Sequence, residues 1–193
     1  MQRTHRTLHR FFPQIGRAPL TINVGYQDQN MNIEFRELGT VEISDLVELM
    51  NNPLVRRHMP LSNDNFGVHE CESFLSKKEA LWTEYGYGPW AFFIDDEFAG
   101  WGGLQSEDGY PDLALVLHPN HWGIGNILYK EIVQRAFGAM KLKAISALLP
   151  VTRKSANSLL RLGFRQHGTV TLENKQFNRY LLEKPAYSRN SKN

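Results

Sequence analysis

Two glycines, Gly123 and Gly125, stand in Trp122-Gly-Ile-Gly125, where an apolar run gives way to a helical period. Glycine lets backbone N–H groups approach a ligand with no Cβ in the way, and a helix opening there adds unpaired donors and the positive end of its dipole. That chemistry is anion binding, with phosphate the expected anion. The spacing excludes two phosphate binders. Gly125 is followed by Asn126 and Ile127, so the Gly-Lys-Ser/Thr of an ATP-type loop is missing. A dinucleotide site needs a third glycine where Leu128 stands, and an acidic residue about twenty positions on, where the apolar Lys143–Leu149 segment lies. Gly125 is expected at positive φ, so Gly125→Val should both block the anion and strain the turn.

The elements that must hold this loop follow from periodicity. Leu113–Leu117 is a continuous apolar run between Asp112 and Pro119, which suits a buried strand. After it, Ile124, Ile127, Leu128, Ile132, Ala136 and Phe137 recur at helical spacing, opposite Lys130, Glu131, Gln134 and Arg135, and this helix ends near Gly138. Upstream, Ile33–Leu38 alternates as a strand, 42–50 forms a helix behind Ser44 and Asp45, and 66–85 forms a longer one with Cys71, Phe74, Leu75, Lys78 and Leu81 or Trp82 on one face. Pro89–Ile94 and Phe98–Leu104 make a hairpin around Asp95-Asp96-Glu97, with glycines 100, 102 and 103 marking a bulge or a close backbone approach. Downstream come a strand over Ala144–Leu149, a helix over Ser155–Leu162 capped by Gly163, and strands over Arg165–Leu172 and Gln176–Glu183.

Pro119-Asn-His-Trp-Gly-Ile-Gly125 resembles the acetyl-CoA pyrophosphate loop of the GNAT N-acetyltransferases, most closely the ribosomal-protein N-terminal acetyltransferase branch, where Trp-Gly-x-Gly is common. A second block, Thr152-Arg-Lys-Ser155 followed by Ser158-Leu-Leu-Arg-Leu-Gly-Phe164, resembles the family's Asn-x-x-Ser and Leu-Gly-Phe helix and turn, with Thr152 where Asn is usual. The resemblance implies one α/β (α+β) domain: a mixed, mostly antiparallel sheet of about six or seven strands, splayed parallel middle strands, and helices on both faces. It implies acetyl transfer from acetyl-CoA, as co-substrate and without a metal, to a primary amine by direct attack in a ternary complex. A non-catalytic acyl-CoA-binding module is the alternative.

The resemblance also assigns a site. Val116, Leu117, Trp122, Gly123, Ile124, Gly125, Asn126, Thr152, Arg153 and Ser155 would bind the cofactor. The Leu117 backbone would donate to the tetrahedral oxyanion. Asp112, at a strand position where the family often carries an acid, would take the ammonium proton directly or through water, with Glu107 and Asp108 as weaker candidates. The tyrosine that many relatives use to protonate the thiolate falls at Leu159 and is absent; Ser155 either hydrogen-bonds the sulfur or satisfies its own helix start. The aromatics Trp82, Tyr85, Tyr87 and Trp90 either line the acceptor pocket or pack the core.

Composition bounds the rest. The 193 residues are 41% hydrophobic and 22% charged, enough for one domain with a full core. Residues 31–185 are expected to be that domain, 1–30 a basic and poorly ordered extension, and 186–193 a polar tail. Of the formal net charge of +2, the first thirty residues carry +3, from Arg3, Arg6, Arg10 and Arg17 against Asp28, which leaves the body at −1. That body has no nucleic-acid footprint, and an RNA role would rest on the arm alone. Without a membrane-length apolar run or a secretory h-region, a cytoplasmic protein, monomer or homodimer, is expected. Cys71, the one cysteine, has no disulfide partner, and His118 and His121 lack a clustered ligand set for a metal.

Overall fold

The computed structural model describes residues 14–26, 29–59, 65–153 and 155–185. One eight-stranded sheet runs through them: β1 (Leu20–Tyr26), β2 (Gln29–Glu37), β3 (Pro89–Ile94), β4 (Glu97–Glu107), β5 (Tyr110–Leu117), β6 (Ala144–Pro150), β7 (Arg165–Leu172) and β8 (Lys175–Glu183), in the order β1-β2-β3-β4-β5-β6-β8-β7. Every neighbouring pair is antiparallel except β5 and β6. The helices are α1 (Ile43–Asn51), α2 (Pro53–Arg56), α3 (Val68–Tyr85), α4 (Gly125–Phe137) and α5 (Asn157–Arg161).

Alternation along the strands divides the core in two. On one face Phe35, Phe92, Leu117 and Ile145 pack with Leu128, Ile132 and Ala136 of α4; on the other Ala91, Phe93, Trp101 and Val116 pack with Leu46, Leu49 and Met50 of α1 and Cys71 of α3. Along β5, therefore, Leu113, Leu115 and Leu117 turn to α4 while Ala114 and Val116 turn to α1 and α3. Asp112 shares the parity of the second set. The α3 stripe forms as its spacing predicts, with Cys71 and Trp82 buried and Phe74, Leu75, Lys78 and Leu81 half-buried.

Tight two-residue turns set three hairpins. Asp95 and Asp96, Asp108 and Gly109, and Glu173 and Asn174 all take positive φ at both central positions, the conformation that matches the right-handed twist of paired strands. The glycine-rich stretch of β4 is a close approach. A Cβ at Gly102 would lie 2.6 Å from the Ala114 carbonyl oxygen, and one at Gly103, whose φ is +145°, 2.5 Å from that of Gly88. The sheet can tighten there only without side chains.

Residues 14–26 differ from the expected poorly ordered extension. Residues 14–26 are built into the fold, and β1 pairs with β2 from Leu20 opposite Phe35 to Tyr26 opposite Gln29. The reason lies in polar groups the body supplies. Arg135 on α4 donates to the carbonyls of Gly16 (3.2 Å) and Ala18 (2.7 Å), the Trp90 indole donates to that of Arg17 (3.4 Å), and Arg17 pairs with Glu79 and Glu37. Arg17 is thus spent inside the molecule, while Arg3, Arg6, Arg10 and the 186–193 tail lie outside the described residues.

Candidate active site

The site is a gap in the sheet. The parallel strands β5 and β6 pair at the rung of Asp112 and Ser146, after which β5 continues to Leu117 and β6 to Pro150 without a further rung among the described residues. Just past the other edge of β5, His118 N–H donates to the Ala99 carbonyl at 2.9 Å. Polar backbone groups of a strand alternate sides, so Val116 and Ala114 also pair toward β4, whereas Leu115 and Leu117 turn N–H and C=O into the gap. The Leu117 carbonyl is taken by the Trp122 indole at 3.1 Å, which leaves amide donors facing the opening.

At the mouth of the gap the loop satisfies its own backbone up to Trp122 and then stops doing so. Asn120 N–H donates to His118 Nδ1 (3.3 Å), His121 N–H to the His118 carbonyl (2.9 Å) and Trp122 N–H to the Pro119 carbonyl (3.2 Å). Gly123 then takes φ +109°, and α4 opens at Gly125 with no side-chain cap and no acid in its first turn. The first amides of such a helix have no partner within it, and no carboxylate competes for them. Gly125 differs from expectation: its φ is helical, and a Cβ there would meet Leu115 Cδ2 at 3.4 Å, an ordinary contact. The conformation that needs glycine belongs to Gly123. Ile124 buries its side chain in the α4 core and offers only backbone, while Asn126 and Trp122 are exposed, the indole standing edge-on to His58 with ring centroids 5.9 Å apart.

Thr152, Arg153 and Ser155 follow β6 on the opposite lip and are all exposed. Ser155 Oγ accepts the Asn157 N–H at 3.2 Å, which shortens the final helix to Asn157–Arg161 and leaves the hydroxyl proton unspent on that bond. Val116 points its side chain into the α1 and α3 core and its backbone to β4, so it does not join the gap amides.

The narrow end of the gap holds the charge. Asp112 is 6% exposed, and Ser146 Oγ–H, fully buried, donates to Asp112 Oδ1 at 2.7 Å. Burial pushes the Asp112 carboxyl up to about 6, against the Ser146 hydrogen bond; the nearby Glu107 charge raises it further and Arg179 lowers it. Glu107 is itself raised, by burial first. Arg179, 8% exposed on β8, gives its Nη2 to Asp108 at 2.7 Å and stacks over Tyr110, 4.6 Å from the ring. Lys78, lowered to about 8 by burial, bonds Gln105 and lies over Phe74 and Trp101.

Two expectations change on this geometry. Asp112 and Leu117 are five strand residues apart, roughly 16 Å at the rise of an extended chain, so Asp112 serves an amine held near Leu117 only through water and not by direct contact. The gap-facing amide nearer to Asp112 is that of Leu115, which sequence reasoning missed because an apolar strand does not announce which amides lose their partner. Of the aromatic set, three side chains take the core reading and Tyr85 stays exposed. Trp82 and Trp90 are core residues in edge contact at 4.9 Å, and the Trp82 indole donates to the Pro89 carbonyl, while Tyr87 is buried and Tyr85 stacks on it. Ser146 was legible in principle: a lone hydroxyl in Ala-Ile-Ser-Ala-Leu-Leu needs a partner.

A strand gap beside an uncapped glycine-opened helix is the architecture of acetyltransferases, and the sequence agrees. The family model for the acetyltransferase (GNAT) domain matches residues 32–165, and the chain belongs to that family. No curated protein matches it by sequence. Among solved structures it is similar to RimL, a ribosomal alpha-N-protein acetyltransferase in complex with coenzyme A, at 14% identity and a TM-score of 0.62 over 78% of this chain and 93% of that one. A putative acetyltransferase from Salmonella typhimurium with acetyl-CoA aligns at 18% identity and TM-score 0.58, covering 82% and 96%. Spermidine N-acetyltransferase from Vibrio cholerae, in complex with CoA and spermine, aligns at 14% and 0.59, covering 79% and 95%. At these identities the likeness is one of fold. Among the described residues no group of metal-ligating side chains is assembled, and no helix is long and apolar enough to cross a membrane.

Proposed function

We propose that this chain moves an acetyl group from acetyl-CoA to a primary amine by direct attack in a ternary complex. The observation that carries the reading is the divergence of β5 and β6 beyond Asp112 and Ser146, which leaves the Leu115 and Leu117 amides free beside an uncapped α4. The cofactor fits the residues present: Gly123, Ile124, Gly125 and Asn126 offer backbone donors to a pyrophosphate, and Trp122, Thr152, Arg153 and Ser155 border the two lips. Bound acetyl-CoA would supply a thioester carbonyl for the amine to attack.

The protein's part is then division of labour along β5. The Leu117 amide pairs with the cofactor arm, and the Leu115 amide, closer to the charged end, donates to the carbonyl oxygen. Asp112 takes the proton of the ammonium through water; a carboxyl near 6 is ionised at neutral pH and still basic enough to hold a proton transiently. Ser155, its hydroxyl proton free of the Asn157 bond, donates to the departing sulfur. The acceptor is a protein N-terminus, a lysine or a small amine; the Trp-Gly-x-Gly loop favours the protein N-terminus. On the sequence grounds given above we place the enzyme in the cytoplasm.

The test has two parts. Acetyl-CoA at about a hundred times its dissociation constant should stabilise the fold by roughly 2.7 kcal/mol, a rise of several degrees in Tm. CoA release should then depend on one class in a panel of peptides with free N-termini, lysine peptides and polyamines. A thermal shift without turnover on any amine would favour a binding module; no shift at millimolar acetyl-CoA would overturn the reading at its root.

A further inference from the structure

Ser146 sits where a hydroxyl is expensive. It is fully buried in β6, between neighbours drawn from an apolar strand, and its cost is met by donating to Asp112 Oδ1 across the rung from which the two strands part. The other charges near that carboxylate are engaged elsewhere. Arg179 from β8 bonds Asp108, and Lys78 from α3 bonds Gln105, which faces Asp112 across β4. Glu107 from β4 adds a like charge. Ser146 is thus the side-chain contact that orients Asp112 by a short hydrogen bond, and it occupies Oδ1 alone.

We infer that Ser146 is a positioning residue for proton transfer, fixing Asp112 with Oδ1 in the strand seam and Oδ2 toward the acceptor amine. The inference rests on Asp112 being the proton acceptor of the proposed reaction. The acceptor's ammonium gives its proton to Oδ2 by way of water, leaving the neutral amine to attack, and the Ser146 proton stays on its own oxygen. Because Ser146 donates to the carboxylate, it favours the ionised form, so its removal moves Asp112 toward protonation.

The experiment measures kcat/KM against pH, using the accepted amine, for the wild type, Ser146→Ala, Ser146→Thr, Asp112→Asn and the double variant, with Tm recorded for each. Ser146→Ala is expected to move the acid limb upward by about one pH unit and to lower kcat about tenfold at unchanged KM for acetyl-CoA. Ser146→Thr, which keeps the hydroxyl, should restore the limb, and Ser146→Ala should add nothing to Asp112→Asn. If Ser146→Ala leaves the limb in place, or costs the same in the Asp112→Asn background, the positioning role is overturned while the acetyltransferase reading stands. If Asp112→Asn retains turnover with an intact acid limb, the base assignment fails and the role of Ser146 goes with it; binding of acetyl-CoA separates either outcome from failure of the family function. Should Ser146→Ala not fold, the Ser146→Thr profile decides, since a displaced limb in a folded hydroxyl-bearing variant contradicts the inference.

Discussion

Gly100 lies so close to Val116 that a Cβ placed on it would stand 2.2 Å from the Val116 carbonyl oxygen, at a backbone φ of +146°. That contact presses β4 onto one edge of β5, and the opposite edge of β5 is the one left open. Gly100→Ala should therefore cost on the order of 3–5 kcal/mol, from overpacking and from a conformation alanine resists. Denaturant unfolding measures it. A loss below about 1 kcal/mol would mean that the seam is looser than this geometry requires.

Asp112 should cost stability in exchange for function. Its folded carboxyl titrates near 6, above the ordinary 3.8, so between those values the native state holds the extra proton and stability falls as pH rises through the window. Asp112→Asn keeps the acceptor oxygen for Ser146 and removes the buried charge. It should raise stability at pH 7 by about 3 kcal/mol and flatten the dependence between pH 4 and 6, while lowering turnover by about 10²–10⁴-fold. Urea curves at pH 4, 5, 6 and 7 check the first half, and CoA release the second.

Gly125 is the cleaner probe of the anion loop because it does not depend on positive φ. Gly125→Ala should fold with a stability change within about 1 kcal/mol, since its methyl meets Leu115 at 3.4 Å and Leu117 at 4.0 Å, both ordinary contacts. Acetyl-CoA affinity should drop tenfold or more as the methyl narrows the approach to the first helical amides. Gly123→Ala, at φ +109°, should instead lose on the order of 1–3 kcal/mol of stability. Isothermal titration beside thermal melts distinguishes them, and unchanged affinity in folded Gly125→Ala would make the turn merely structural.

Ser155 separates binding from departure of the thiol. Ser155→Ala removes one exposed hydroxyl and an Asn157 N–H acceptor, worth about 1 kcal/mol at most on a short terminal helix. Turnover should fall with acetyl-CoA affinity nearly intact. Equal losses in both would move Ser155 to the cofactor-binding surface.

Much of this was visible in the residues and some was not. The period change at Ile124 and the breakers at Pro119 and Gly163 placed the loop, its helix and the ends of the flanking strands within a residue or two, while β2 and β5 begin four and three residues earlier than Ile33 and Leu113, where the apolar pattern starts. Pairing is a different kind of information. Leu115 and Val116 are alike in sequence, yet one turns its amide to the gap and the other to β4, because register with Ala99 and Gly100 decides it. The Trp82 and Trp90 pair reads equally well as pocket or core until the Pro89 carbonyl is seen to hold the Trp82 indole. The segment around Arg17 looked like a solvated basic arm, since nothing local in it reveals that Glu79, sixty-two positions on, will take the charge.

That anchored segment bears on how the protein behaves when shortened. A version trimmed to begin at Met31 retains the whole matched domain, yet it strips β1 from β2 and frees Arg135 and the Trp90 indole of the carbonyls they hold. β2 then replaces β1 as the outer strand of the sheet, and with Leu20, Ile22 and Val24 gone the core they covered is bared beside that edge, which makes it a stickier template for adhesion between copies than β1 was. Such a fragment should remain folded and catalytically competent at high dilution, and should self-associate as concentration rises. Sedimentation velocity over a dilution series reads this directly, with the 193-residue chain associating less than the trimmed one across the same range.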